Sequence, residues 1–244
     1  MPDASGALSP TIDRTAARAE ALRARHQAGD ALSLLRAMIR DEFPGRIALV
    51  SSFGADAAVL LHLVAQVDPA TPVLFLDTGQ HFALTRAYRQ ALATHIGLTD
   101  VRDIAPDAAA LTAEDPGRDL WQRDPDGCCH LRKVVPLEGA LRGFDAWITG
   151  RKRFQGASRA ALPPVEAEAG RIKVNPLWSW SAADVDAYYV AHALPRHPLV
   201  AQGYPSIGCR PCTRAVAAGE DARAGRWAGT GKTECGIHGG AGAS

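Results

Sequence analysis

Arg46-Ile47-Ala48-Leu49-Val50, then Ser51-Ser52-Phe53-Gly54-Ala55-Asp56, then Ala57-Ala58-Val59-Leu60-Leu61-His62-Leu63-Val64: these three consecutive pieces decide the fold. The first is a short apolar run that reads as a buried strand. The second is a small, hydroxylated turn with a glycine, and the third carries apolar residues at helical spacing. The unit then recurs. Thr71-Pro72-Val73-Leu74-Phe75-Leu76 is a second buried strand that ends in Asp77-Thr78-Gly79, and a helix pattern covers residues 81–96. Residues 101–104 and 145–149 read as further strands, and residues 171–174 as an edge strand. Residues 16–39, rich in Ala, Leu and Arg, predict one helix ahead of the first strand. Ser181-Ala182-Ala183-Asp184 predicts a capped helix start. Strands alternating with helices imply an α/β fold, a parallel sheet flanked by helices.

The chain has 244 residues, 47% of them hydrophobic, enough for one substantial domain. A formal net charge of +1 supplies no bulk field toward nucleic acid or an anionic membrane. No run of 18 apolar residues exists, so no membrane span is expected. Residues 1–20 lack an apolar signal-peptide core, and the expectation is a cytoplasmic protein. The expected organisation is a disordered leader over 1–15, a nucleotide-binding domain over 16–214 and a mobile C-terminal segment over 215–244. The last six residues, 239–244, are expected to be disordered.

The five cysteines are an adjacent pair, Cys128 and Cys129, a C-x-x-C pair, Cys209 and Cys212, and a lone Cys235. In a cytoplasmic chain such clusters point to metal or catalysis before disulfides. Four thiolates can hold one metal centre. Adjacent cysteines are unusual in structural zinc sites, whereas two neighbouring thiolates can reach different corners of a bulkier group. A [4Fe–4S] cluster is therefore the better fit, with zinc or no metal as the alternatives. Lys133 lies four residues after Cys129, on the same helical face, where it can offset thiolate charge. Cys235 sits in Glu234-Cys235-Gly236-Ile237-His238, with Lys232 close by. Cationic neighbours favour the reactive thiolate, and glycine-rich flanks permit movement. An inert tail cysteine is the plain alternative.

Ligands of open parallel sheets bind beyond the carboxyl ends of the strands, where residues 51–56 and 77–79 fall. The first turn can present backbone N–H groups to an anion, and Gly54 permits close approach. The plain reading is a serine-capped turn. Gly231-Lys232-Thr233 imitates the end of a phosphate-binding loop, but Arg226 stands where its first glycine is required, so that motif is rejected. Arg210, Arg214, Arg223, Arg226 and Lys232 supply forks and charges suited to phosphate or sulfate, or else a solvated basic face.

Assembled, these residues resemble the adenylylsulfate (APS) and phosphoadenylylsulfate (PAPS) reductase family of sulfate assimilation, over roughly residues 46–238. The resemblance is carried by residues 74–79, Cys128-Cys129-His130-Leu131-Arg132-Lys133-Val134, the basic stretch 150–159, Asn175-Pro176-Leu177, residues 206–214 and residues 234–238. It implies a sheet of the adenine nucleotide alpha-hydrolase-like (HUP/PP-loop) type with a mobile C-terminal tail. The implied reaction is thioredoxin-dependent reduction of APS to sulfite and AMP through a Cys235 S-sulfonate. It implies Cys128, Cys129, Cys209 and Cys212 as ligands of a [4Fe–4S] cluster, with Cys235 as nucleophile. Lys133, Arg223, Arg226 and His238 match positions around the sulfate. Ser51, Gly54, Leu76, Thr78, Gly150 and Arg159 match the nucleotide pocket. The implied partners are APS and a thioredoxin- or glutaredoxin-type reductant, and a homo-oligomer is left open.

Two departures stand out. Phe53 occupies a place where many members carry a second serine, and Gln155-Gly156 replaces a common Gln-Ser, which bears on Arg159. The rival readings are a PAPS or dual-specificity reductase, a zinc-bearing ATP pyrophosphatase acting in RNA thiolation, and a non-enzymatic metal-dependent regulator. The pyrophosphatase reading lacks its Ser-Gly-Gly-x-Asp-Ser loop at residues 51–56.

Overall fold

The structure is a computed structural model that describes residues 10–27, 29–156, 159–230, 232 and 234–238. The first nine residues of the expected leader and the end segment 239–244 lie outside the described residues. Six strands form one sheet: β1 (Ile47–Ser51), β2 (Val73–Leu76), β3 (Val101–Ile104), β4 (Ala146–Ile148), β5 (Val165–Glu168) and β6 (Arg171–Val174), in the order β3-β2-β1-β4-β6-β5. All pairings are parallel except β5 with β6.

β1, β2 and β4 are apolar along almost their whole length because helices cover both faces of the sheet. Alternation still sorts their side chains. Leu49, Phe75 and Ile148 enter the larger core with Phe53, Val59 and Leu177. Ala48, Val50, Leu74, Leu76 and Trp147 face a second core with Leu137 and Leu141.

The edge-strand reading of residues 171–174 is corrected: β6 is internal, and β5 forms the edge. Within β6 the charged Lys173 is fully buried. Its ammonium pairs with Glu168 and lies 4.7 Å from the centre of the Trp147 ring. The edge strand itself, Val-Glu-Ala-Glu, is too polar to announce itself.

The single helix predicted over 16–39 is two. α1 (Pro10–His26) begins within the segment read as leader, and α2 (Ala31–Arg36) starts afresh where Asp30 accepts the Ser33 N–H at 2.8 Å. α3 (Ala57–Val67) and α4 (Ala83–Ile96) follow β1 and β2, and α4 ends at Gly97 with φ of 75°. After α5 (Ala108–Glu114) and α6 (Leu120–Arg123), a longer helical stretch begins with α7 (Pro125–Cys129). It continues through a π turn (His130–Val134) into α8 (Val135–Ala140). Pro136 cannot donate to the turn before it, and the Val135 N–H reaches back to the His130 carbonyl instead. The interruption expected at Pro136 therefore takes the form of a π turn. α9 (Ala182–Ala191) carries the expected capping box between Ser181 and Asp184.

Candidate functional site

The carboxyl ends of β1, β2 and β4 open into a cleft of about 480 Å³, a volume suited to a nucleotide-sized ligand. Ser51, Gly54, Leu76 and Gly150, which the resemblance assigns to a nucleotide pocket, are all among its lining residues. The turn after β1 is shaped by Phe53. Its φ is 49°, its ring is fully buried, and it meets Phe75 edge-on at 5.6 Å. The phenyl thus points into the core, where a serine would leave a void. Gly54 follows against the Ile207 carbonyl, where an added Cβ would sit at 3.1 Å. Beside it Asp56 accepts from Lys152 Nζ at 3.3 Å and Gln155 Nε2 at 3.4 Å. Burial lowers the Lys152 pKa, against the opposing pull of Asp56.

At the other end of the cleft three chain segments meet around Thr78. An isolated bridge joins His81 to Cys209, and the Arg210 N–H donates to the Gln80 carbonyl at 2.8 Å. This seats the C-x-x-C loop on the β2–α4 connection. The π turn is tied to the same place by Arg132, which is buried, pairs with buried Asp115 and donates from Nη1 to the Thr78 carbonyl at 2.9 Å. Asp115 also accepts the Leu120 N–H at 2.9 Å. The two cysteine pairs, 81 residues apart from Cys128 to Cys209, are thereby brought into one another's electrostatic field.

Cys128, Cys129 and Cys209 are buried. Burial, and then the Cys129 charge, push the Cys128 thiol up to about 12. Burial, followed by Cys209, pushes Cys212 to about 11. Lys133 responds in the opposite sense. Burial would lower its pKa, but Cys209, Cys235 and Cys129 together raise it above the ordinary lysine value. Burial leaves the Cys129 pKa raised, and Lys133 in turn lowers it by a smaller amount.

Cys235 lines the cleft beside this group, with Lys133, Arg223 and Arg226 also on the wall. The segment carrying it is held at several points. Glu234 takes a two-pronged contact from Arg159, Nε to Oε1 and Nη2 to Oε2, each 2.8 Å, and lies 3.6 Å from Arg223. Ile237 packs on the second core. His238 stacks on Trp147, 5.9 Å between centres and 6° from parallel. Burial, followed by Lys173, Arg151, Arg159 and Arg223, lowers the His238 pKa well below the usual imidazole value. His238 is thus neutral here and offers a hydrogen bond, not a charge.

Thr78, grouped by sequence with the nucleotide pocket, sits behind the cleft. It is fully buried, with its hydroxyl 3.2 Å from Cys209 Sγ. Arg159 does border the cleft, although its guanidinium is engaged by Glu234 and by Gln155 at 2.6 Å. Sequence reasoning assigned no part to Asp56, Lys152, Glu234, Asp115 or Trp227. Glu234 was within reach, as the one acid beside Cys235. Trp227 donates its backbone N–H to the Cys212 carbonyl at 3.0 Å, and its indole Nε1 is buried without a hydrogen-bond partner among the described residues.

Among known proteins, residues 46–215 match the family described as phosphoadenosine phosphosulfate reductase domain. A Mesorhizobium japonicum protein named adenosine 5'-phosphosulfate reductase is 53% identical, over 93% of this chain and 89% of its own. One of the same name from Streptomyces coelicolor is 41% identical, over 94% and 97%. A crystal structure of phosphoadenylyl-sulfate reductase from Candida auris, a phosphate complex, superposes with a TM-score of 0.67 at 26% identity, over 86% of this chain and 98% of that one.

Proposed function

Because the chain belongs to the phosphoadenosine phosphosulfate reductase family, we propose that it is an APS reductase, acting in assimilatory sulfate reduction and releasing sulfite and AMP. The observation that carries this reading is Cys235 on the wall of a nucleotide-sized cleft, electrostatically coupled to buried Lys133. A thiolate there is a nucleophile in a cationic setting.

Cys235 Sγ attacks the sulfur of APS. The new S–S bond forms as the bond from sulfur to the phosphate oxygen breaks, and AMP leaves with that electron pair. The product is a Cys235 S-sulfonate. Lys133, Arg223 and Arg226 offset the charge that builds on the sulfonyl oxygens, and neutral His238 donates a hydrogen bond. One thiolate of a thioredoxin- or glutaredoxin-type dithiol then attacks Cys235 Sγ, and sulfite departs with the S–S electron pair. The second thiol closes the reductant's disulfide and returns Cys235 as a thiolate.

Cys128, Cys129, Cys209 and Cys212 would hold a [4Fe–4S] cluster. Four thiolates in so confined a space need a positive centre, since without one burial keeps Cys128 and Cys212 protonated. The Trp227 backbone N–H holds the Cys212 carbonyl, and its buried indole Nε1 has no hydrogen-bond partner among the described residues. Among the described residues no group of three or more His, Cys, Asp or Glu is placed to hold a metal ion, so the preference for a cluster over zinc rests on the adjacent pair Cys128 and Cys129, a spacing unusual in structural zinc sites. When bound, the cluster supplies a fixed field beside Lys133, while the dithiol supplies both electrons. A cytoplasmic setting suits such a centre, and no described helix is long and apolar enough to cross a membrane.

The test is anaerobic protein assayed for iron, sulfide and sulfite release, with APS compared against PAPS. Cys235→Ser should abolish sulfite formation and leave AMP binding and iron content unchanged. Sulfite production by that variant would overturn the mechanism, and a faster rate with PAPS would overturn the substrate.

A further inference from the structure

The nucleophile's neighbour, Glu234, is the one carboxylate among residues 234–238. Both of its oxygens receive the fork of Arg159 at 2.8 Å, and Arg223 approaches to 3.6 Å. The Arg159 side chain is only 9% exposed and that of Glu234 28%, so this pair is better shielded from water than a surface salt bridge. Consecutive Cα atoms are about 3.8 Å apart, so anchoring this carboxylate limits how far the Cys235 backbone can move from the cleft wall. On the other side Gly236 has φ of 81°, a conformation that leaves that flank a pivot.

Resting on the APS reductase reading, we propose that Glu234 is a positioning residue: paired with Arg159 and Arg223, it sets how Cys235 faces the cleft. It acts through the two arginines and does not itself touch the substrate. It also divides the cations of the cleft. Arg159 is tied to the tail and to Gln155, while Lys133 is coupled to the cysteines. Losing the carboxylate should therefore impair sulfur attack more than nucleotide binding.

The decisive variant is Glu234→Gln, which keeps the size of the side chain and removes its charge. Three quantities are read on cluster-loaded protein: iodoacetamide alkylation of Cys235 by peptide mass spectrometry, the single-turnover rate of Cys235 S-sulfonate formation, and the Kd for AMP. Alkylation should speed up and S-sulfonate formation should slow, each about tenfold, with the AMP Kd unchanged within about twofold. Glu234→Asp should recover part of both effects. Unchanged alkylation together with an unchanged S-sulfonate rate overturns the proposal, as does a tenfold weaker AMP affinity, which would make Glu234 a nucleotide contact. Should the wild-type protein form no S-sulfonate from APS, the function reading falls, whereas the alkylation comparison still decides whether Glu234 holds the tail.

Discussion

Removing Asp115 tests how the cysteine-bearing helix is held. The Asp115 side chain is fully buried and that of its partner Arg132 only 4% exposed. Burial would raise the Asp115 pKa, but the Arg132 hydrogen bond, the Leu120 N–H and the Arg132 charge outweigh it and lower the value. Asp115→Ala leaves a guanidinium in the interior without its counter-charge and strands the Leu120 N–H. Breaking one side of a buried pair costs about 3–5 kcal/mol. For a chain of this size each kcal/mol moves the melting temperature by roughly 2–4 °C, so a fall of about 6–20 °C is expected. The assay is thermal unfolding by circular dichroism on anaerobic protein, with iron content followed in parallel. Because Arg132 also holds the Thr78 carbonyl, iron retention should fall with stability. The double change Asp115→Ala with Arg132→Met removes both charges and should recover most of the loss. A single variant that melts within about 2 °C of wild type, or a double variant no better than the single, would refute this account of the pair.

Two other outcomes follow from the same geometry. His197 is buried, accepts the Leu199 N–H on Nδ1 at 3.1 Å and contacts Thr85 through Nε2 at 3.0 Å, and burial lowers its pKa from 6.5 to about 4. The folded state favours neutral imidazole, so this contribution is complete above pH 6.5 and is lost as pH falls toward 4. The stability gap between wild type and His197→Gln should narrow by about 3 kcal/mol over that window, and a constant gap in urea unfolding contradicts it. In Gly208→Ala the new Cβ would lie 2.3 Å from Arg226 Nη2, so the guanidinium must swing away while the backbone stays in place. KM for APS should rise about tenfold with little change in melting temperature, and an unaltered KM removes Arg226 from the sulfate end.

How legible the site was depended on whether its residues signal alone or through partners. Ser51 and Gly54 stood out because a strand followed by a helix puts its turn at the carboxyl end of the sheet, whereas Leu76 and Gly150 came only from the family resemblance. The cysteines are readable because their spacing is itself chemical. Thr78 was not: it follows β2 closely, as a pocket residue would, but its contact with Cys209 spans 131 positions. Arg132 and Asp115 look like ordinary surface charges until folding encloses both. β5 was hidden because the acids that make Val165–Glu168 look like a loop are the partners Lys173 needs in order to be buried. Phe53 reads as a departure from a serine, yet its left-handed backbone and its contact with Phe75 make it the residue that shapes the turn.

On the proposed reading, the arrangement of charge gives a reason for Cys235 and the two cysteine pairs to share one site. Burial lowers the Lys133 pKa, and the charges of Cys209, Cys235 and Cys129 raise it above the ordinary lysine value. Cys129 and Cys209 belong to the fixed group, whereas Cys235 belongs to the tail, so one ammonium is shared between a permanent set of negative charges and a transient one. When Cys235 attacks, its negative charge passes to the departing phosphate and the sulfonyl oxygens, and Lys133 loses one of its three thiolate neighbours. The fixed thiolates then hold the ammonium in place for the developing anion. A lysine with only the tail thiolate as partner would be free to deprotonate once that charge moved, at the moment its own is needed. On this argument Cys129 and Cys209 would serve the proposed reaction without passing an electron: they would help keep the buried cation charged through the step that consumes its partner Cys235.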